Sequence, residues 1–337
     1  MELDPRILEI AEGIRSMKIR GAGKIARSAA EALKIAAETY KGPSDPDEFK
    51  KYMERVADLI ISTRPTAVSL PNAVYYVMFI LEKTSGTVNE LREAVVKRSE
   101  EFIKKSLEAV KIIGEIGARR IVNDAVVLTH CHSTAAASVI ITAYKMGKIR
   151  RVYSTETRPF YQGRITARHL LEAGVPVVQI PDSSVRYIMQ EVDQVVVGAD
   201  TIASNGAVVN KVGTSQVALA AHEARVRVFV AAETYKFSPM TVIGELVPIE
   251  FRDPTEVVPM EWIQKHPHVK VLNPAFDVTP PEYIDAIITE EGVIPPQAAI
   301  LVLLEKFGWA LEKIKQGVEH RVKFEDTVEA LGNEHSG

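Results

Sequence analysis

Apolar residues recur every three to four positions through the first third of the chain. Ile7, Ile10, Ala11 and Ile14 keep this spacing, as do Ile25, Ala29, Ala32, Leu33 and Ala36. The period predicts amphipathic helices from Pro5 to about Gly117. Gly42-Pro43-Ser44-Asp45-Pro46 interrupts the pattern, and a helix follows from Glu48 to about Ile61. Thr63-Arg64-Pro65-Thr66 interrupts it again, because the residue before a proline is pushed out of helical geometry. Helical spacing resumes from Ala73 to Leu81 and along a segment from Val88 to Ile116.

Beyond Gly117 the period changes. Short β-branched runs stand at residues 126–129, 151–154, 175–180, 194–198 and 226–231. Helical stretches at 135–146, 163–173, 185–190 and 215–224 lie between them. This alternation predicts β-α-β units and a parallel sheet with helices on both faces, so the fold class is α/β. The boundary falls near residue 120, giving a helical domain over 1–120 and a sheet domain over 121–337. The proline-rich stretch from Pro239 to Pro296 reads as edge strands and long loops. A last helix from Gln297 to about Ile314 precedes a polar, partly disordered tail beyond Gln316.

Composition narrows the function without naming it. The 337 residues are 46% hydrophobic and 25% charged, with a net charge of −3. That balance gives no case for nucleic acid or an acidic membrane surface. No apolar run approaches membrane-spanning length, and the charged N-terminus lacks a signal-peptide core. A single cysteine forms no internal disulfide, which fits a reducing, cytoplasmic setting.

The chemistry-bearing residues gather at predicted strand ends. Val126-Val127-Leu128-Thr129-His130-Cys131-His132-Ser133-Thr134 runs from a buried strand into an alanine-rich helix. The junction puts Cys131 at the carboxyl edge of the sheet, where open α/β folds bind ligands. It also faces a helix N-terminus, which attracts anions and lowers a thiol's pKa. A lone cysteine among apolar residues is commonly inert, so the motif alone leaves both readings open. Ser133 or Thr134 can cap the helix or bind a phosphate. Val195-Val196-Val197-Gly198-Ala199-Asp200 repeats the design, delivering Asp200 to the same edge as an acid or as a cap.

Further polar groups follow the same logic. Gly206 and Gly213 flank Asn210-Lys211 in what reads as a flexible polar loop, with Lys211 suited to phosphate and Asn210 to a sugar hydroxyl. Lys236 follows the strand ending near Ala231, and Arg158 and Gln162 follow the strand ending at Ser154. Arg20-Gly21-Ala22-Gly23-Lys24 opens a helix whose free N–H groups can cradle phosphate, although it lacks the Walker spacing. Arg64 beside Pro65 is a weaker anion candidate. His130-Cys131-His132 looks rich in metal ligands, but neighbours on a strand point apart and no partner motif exists, so no metal is expected. No Gly-x-Gly-x-x-Gly follows a predicted strand, which argues against a dinucleotide.

Taken in order, Arg20-Gly21-Ala22-Gly23, Arg64-Pro65-Thr66, Thr129-His130-Cys131, Arg158-Pro159 with Gln162-Gly163, Gly198-Ala199-Asp200, and Asn210-Lys211 with Gly213-Thr214 resemble a known set. It belongs to the isomerase family related to the regulatory subunits of the translation-initiation guanine-nucleotide exchange factor. The resemblance implies an N-terminal helical domain on a Rossmann-like parallel-sheet domain, with no cofactor. It implies conversion of ribose 1,5-bisphosphate to ribulose 1,5-bisphosphate in nucleotide salvage, with Cys131 and Asp200 catalytic. Arg20 to Gly23, Arg64, Ser133, Gln162, Asn210, Lys211 and Lys236 would bind the sugar bisphosphate. A hexamer built of dimers and an AMP activator also suit this branch. His132 and Gly23 stand where the methylthioribose 1-phosphate branch typically has asparagine and proline, so that branch is the alternative. Noncatalytic regulatory relatives usually lack the cysteine and aspartate pair.

Overall fold

The computed structural model describes residues 3–308. Its first six helices are α1 (Pro5–Arg15), α2 (Ala22–Thr39), α3 (Pro46–Thr63), α4 (Ser69–Met78), α5 (Ile80–Lys83) and α6 (Val88–Ala118). Their starts follow from local chemistry. Asp4 and Asp45 cap α1 and α3 with a proline in the first turn. Thr87 and Glu90 form a reciprocal capping box on α6. The apolar stripes of these helices close on a shared core that includes Ile7, Leu33, Phe49, Val77 and Phe102.

The chain then alternates: β1 (Ala125–Thr129), α7 (Thr134–Lys145), β2 (Ile149–Thr155), α8 (Gln162–Glu172), β3 (Val177–Ile180), α9 (Val185–Ile188) and β4 (Gln194–Gly198). After these come β5 (Thr201–Ile202), β6 (Val208–Lys211), α10 (Thr214–Ala224), β7 (Arg227–Ala231), α11 (Met260–Lys265), β8 (Phe276–Thr279), β9 (Ala286–Thr289) and β10 (Gly292–Ile294). The main sheet has the order β10-β9-β7-β4-β1-β2-β3, parallel throughout except for the edge strand β10. Both faces are covered. Val126, Leu128, Val195 and Val197 pack beneath α10, while Val127, Val196 and Phe229 pack against α7. Burial on both faces explains the unbroken β-branched runs in the sequence.

The helical layer reaches the sheet through the end of α6. Gly114 and Gly117 let α7 approach closely: a Cβ on either would fall within 2.5 Å of Ser138 or Val139 side-chain atoms. Helix spacing up to Gly117 and the strand positions agree with the sequence pattern within a few residues. The 185–190 stretch is helical, an α turn continued by a 3-10 turn, Met189–Glu191. Two expectations fail. In the stretch expected to hold edge strands, β9 lies inside the main sheet between β7 and β10. The stretch expected as a flexible loop around Asn210-Lys211 is strand β6, the centre of a second, antiparallel sheet in the order β5-β6-β8. Val208 and Val209 supply its β-branched centre; β5 pairs with it locally, but its other partner, β8, lies almost seventy residues away, beyond the reach of a local pattern. The chain is helical over 299–308; the rest of the expected last helix and the polar tail lie outside the described residues. Among the described residues, no helix is long and apolar enough to cross a membrane.

Candidate active site

The carboxyl ends of β1, β2 and β4 deliver their polar residues to one cavity that the α1–α2 junction and α4 help to close. Cys131, Gln162 and Asp200 line it, together with Arg20, Gly21, Ala22, Arg64 and Lys211. Gly21 caps α2 at φ 85° with no side-chain cap, so the first-turn N–H groups stay available to a ligand. Two of the cavity residues carry a buried polar atom without a hydrogen-bond partner, Nε of Arg64 and Oε1 of Gln162. One is a donor and the other an acceptor, and both belong to residues lining the cavity. Burial without a partner costs free energy, so each is a group that a bound molecule would satisfy.

A hydrogen-bond network fixes the cysteine turn. Cys131 has a positive φ of 66°, uncommon for a residue with a side chain. Its N–H donates to Oγ1 of Thr157 at 2.9 Å, and Oγ1 of Thr166 donates to its carbonyl at 2.8 Å. The carboxylate of Asp182 in turn accepts from the N–H groups of Thr157 and Arg158, each at 2.8 Å. The flanking histidines are committed elsewhere. Nε2 of His130 lies 2.9 Å from the Val212 carbonyl, which only a donor can satisfy, so Nδ1 accepts from Thr155 at 2.7 Å. Since Thr166 gives its proton to Cys131, Nδ1 of His132 must donate to Thr166 at 2.9 Å. Burial holds both imidazoles below the ordinary histidine range. Among the described residues no group of three or more His, Cys, Asp or Glu side chains is placed to hold a metal ion.

The thiol departs from the sequence expectation. Burial pushes Cys131 up to about 12; Lys211 opposes the shift and Asp200 adds to it. Desolvation at the strand end outweighs Lys211, so the thiol is protonated near neutral pH. Lys211 is also buried, at 6% exposure, and burial with the nearby Arg252 lowers its pKa. Its ammonium stands 4.9 Å from the centre of the Phe276 ring.

Four expected residues do not line the cavity. Oγ of Ser133 accepts from the Ala136 N–H at 3.2 Å and so caps α7. Gly23 lies within α2, where a Cβ would meet Tyr235 and Arg27. The amide of Asn210 donates to Thr214 at 3.0 Å. Lys236 pairs with the buried carboxylate of Glu233 at 2.7 Å. Conversely, Met17, Thr66, Ser69, His132, Ile165, Thr201, Phe276 and Arg252 line the cavity unforeseen. Arg252 sits in the proline-rich stretch, where no hydrophobic period ties the chain to a sheet edge.

Comparison with known proteins agrees with this architecture. The family model described as the initiation factor 2 subunit family matches residues 18–296. The ribose 1,5-bisphosphate isomerase of Thermococcus kodakarensis is 53% identical, over 93% of this chain and 98% of the relative. That of Pyrococcus furiosus is 54% identical, over 91% of this chain and 95% of the relative. The crystal structure of the Pyrococcus horikoshii OT3 translation initiation factor eIF-2B superposes with a TM-score of 0.74 at 31% identity, covering 88% of this chain and 100% of that one.

Proposed function

We infer the activity from one premise: the chain belongs to the initiation factor 2 subunit family. Within it, this chain is a sugar-phosphate isomerase that converts ribose 1,5-bisphosphate to ribulose 1,5-bisphosphate. One observation carries the reading beyond similarity. A single cavity gathers a thiol, a carboxylate and four cations, the set that a phosphorylated sugar undergoing proton transfer requires.

The roles we propose follow from the chemistry of the substrate. Phosphate on the anomeric carbon prevents the ring from opening as a free sugar does. Asp200, carrying a proton, gives it to the ring oxygen as the C1–O4 bond breaks, leaving positive charge at C1. Cys131, as thiolate, removes the C2 proton, and the electrons of that bond form the C1–C2 double bond of an enol phosphate. The C2 hydroxyl then returns its proton to Asp200 and becomes the ketone. The double bond takes the proton from Cys131 at C1. Each group ends as it began, and no oxidant or reductant is consumed. Burial makes the resting cysteine a thiol, so Cys131 loses its proton before it serves as the base.

Arg20, the N–H groups of Gly21 to Gly23, Arg64 and Lys211 serve the phosphates. Gln162 orients a hydroxyl through its unpartnered oxygen. Asn210, Ser133 and Lys236 lie outside the cavity and act only through the strand, the turn and the buried ion pair that they stabilise. The family resemblance supports the remaining proposals: a role in AMP and nucleoside salvage in the cytoplasm, AMP as activator, and a hexamer assembled from dimers.

Phosphorus NMR of the purified chain with ribose 1,5-bisphosphate, run beside 5-methylthioribose 1-phosphate, tests the activity. Resonances of ribulose 1,5-bisphosphate in the first sample alone are the expected result. Turnover of the methylthio sugar alone, or of neither, would overturn the reading.

A further inference from the structure

The cation that the sequence pattern leaves out, Arg252, is held at the cavity by two independent contacts. Its Nε donates to Oε1 of Glu250 at 3.1 Å, and the other oxygen of that carboxylate accepts from Nη2 of Arg64 at 3.0 Å. Glu250 therefore bridges two arginines that both line the cavity. Burial raises its pKa, but Arg64 first and Arg252 next outweigh that and hold it ionised below the usual carboxylate range. The second contact is aromatic. The guanidinium carbons of Arg252 and Arg20 stand 5.9 and 5.6 Å from the centre of the same ring, that of Phe160. Both distances fall within cation–π reach, so Phe160 sets two cations from distant parts of the chain at one mouth.

Charge and hydrogen-bond capacity point the same way. Among the described residues that line the cavity, the four cations Arg20, Arg64, Lys211 and Arg252 stand with one carboxylate, Asp200, and Glu250 pairs with two of them, so positive charge is in excess before any ligand enters. Glu250 engages one of the five N–H donors of Arg252 and leaves Nε of Arg64 unpartnered. A carboxylate held between two guanidinium groups occupies the position that a phosphate's oxygens would take, with the same charge-assisted geometry.

We propose that Arg252 is a further phosphate-binding residue of this site, and that Glu250 is a resident anion that preorders Arg64 and Arg252 while weakening their hold on phosphate. The proposal rests on the sugar-bisphosphate reading and deepens it. A substrate with two phosphate groups needs two cationic contacts; Arg252 with Arg64 supplies one beyond the α2 N-terminus. Opposite substitutions then have opposite effects. Arg252→Gln removes a phosphate ligand, whereas Glu250→Gln keeps a side chain of the same shape and removes the competing charge.

The test is steady-state kinetics with ribose 1,5-bisphosphate, plus calorimetric binding of ribose 5-phosphate, on the native chain, Arg252→Gln and Glu250→Gln. Arg252→Gln is expected to raise KM about ten- to hundredfold with kcat within a few-fold, the loss of one charge-assisted contact. Glu250→Gln is expected to lower KM or tighten ribose 5-phosphate binding. Weakening by both substitutions, or no change in KM for Arg252→Gln, would overturn the proposal by making the trio a purely structural brace. If Arg252→Gln does not fold, Arg252→Lys, which keeps the charge and loses the fork, is expected to raise KM by a smaller factor. A native chain that turns over no ribose 1,5-bisphosphate but shows the opposed binding changes would sink the isomerase reading and leave this proposal standing.

Discussion

At the scale of single residues, the Cys131 thiol sets the pH behaviour. Its position at a helix N-terminus is readable in the sequence, and by itself suggests an acidified thiol. Burial, which the sequence does not display, reverses the sign and pushes the group up to about 12. The protonated form therefore persists well above the ordinary thiol range. The account predicts a kcat without an inflection between about pH 7 and pH 10, because burial keeps the proton on the resting Cys131 through that range. A decline or rise centred near the free thiol value of about 8.5 would contradict it. Iodoacetamide should likewise modify Cys131 slowly at pH 8, read by mass spectrometry of the intact chain. The histidines show the complementary lesson. Their adjacency to cysteine invites a metal, yet Thr155, Val212 and Thr166 take their nitrogens.

At the scale of elements, the strand ends were the most legible part of the site. A buried parallel strand needs a continuous apolar run, so the first polar residue after it marks the sheet edge. That rule finds Cys131 and Asp200 at once. It misses Lys211, which sits inside a strand whose partner β8 begins at Phe276. It also misses Arg252, which lies in a stretch with no periodic pattern. The turn that presents Gln162 depends on one close approach: a Cβ on Gly163 would fall 1.6 Å from the Thr155 carbonyl oxygen. Neither backbone can yield without breaking the β2–α8 contact. Gly163→Ala is expected to destabilise the fold by about 3 kcal/mol or more. The midpoint of urea unfolding measures it, and an unchanged midpoint would refute that picture of the turn.

At the scale of the whole molecule, the cavity exists because the helical layer is fastened over the sheet edge. Helix α4 makes the fastening. Ser69 donates to the Ala22 carbonyl at 3.1 Å, tying α4 to the cavity-facing end of α2. The buried amide of Asn72 donates to the carbonyls of Tyr235 and Phe237 at 2.9 and 2.8 Å, tying it to the segment after β7. Asn72→Ala would leave two buried carbonyls unpaired, a loss of about 2–4 kcal/mol. It should also raise KM, because the layer carrying Arg20 and Arg64 loses its anchor. A normal melting temperature with normal KM would show the anchor to be dispensable. The helical periods and the alternating units are local patterns, so the layers were legible; the Asn72 ties join residues more than a hundred and sixty positions apart, and were not.

The central claim, that Cys131 and Asp200 jointly isomerise a sugar bisphosphate, is tested most directly by kcat in two conservative variants. Cys131→Ser and Asp200→Asn should each lower kcat on ribose 1,5-bisphosphate by about 10²–10⁴-fold, with circular dichroism and melting temperature close to native. Native-like turnover in either folded variant would contradict the assignment of that residue, and native-like turnover in both would contradict the account.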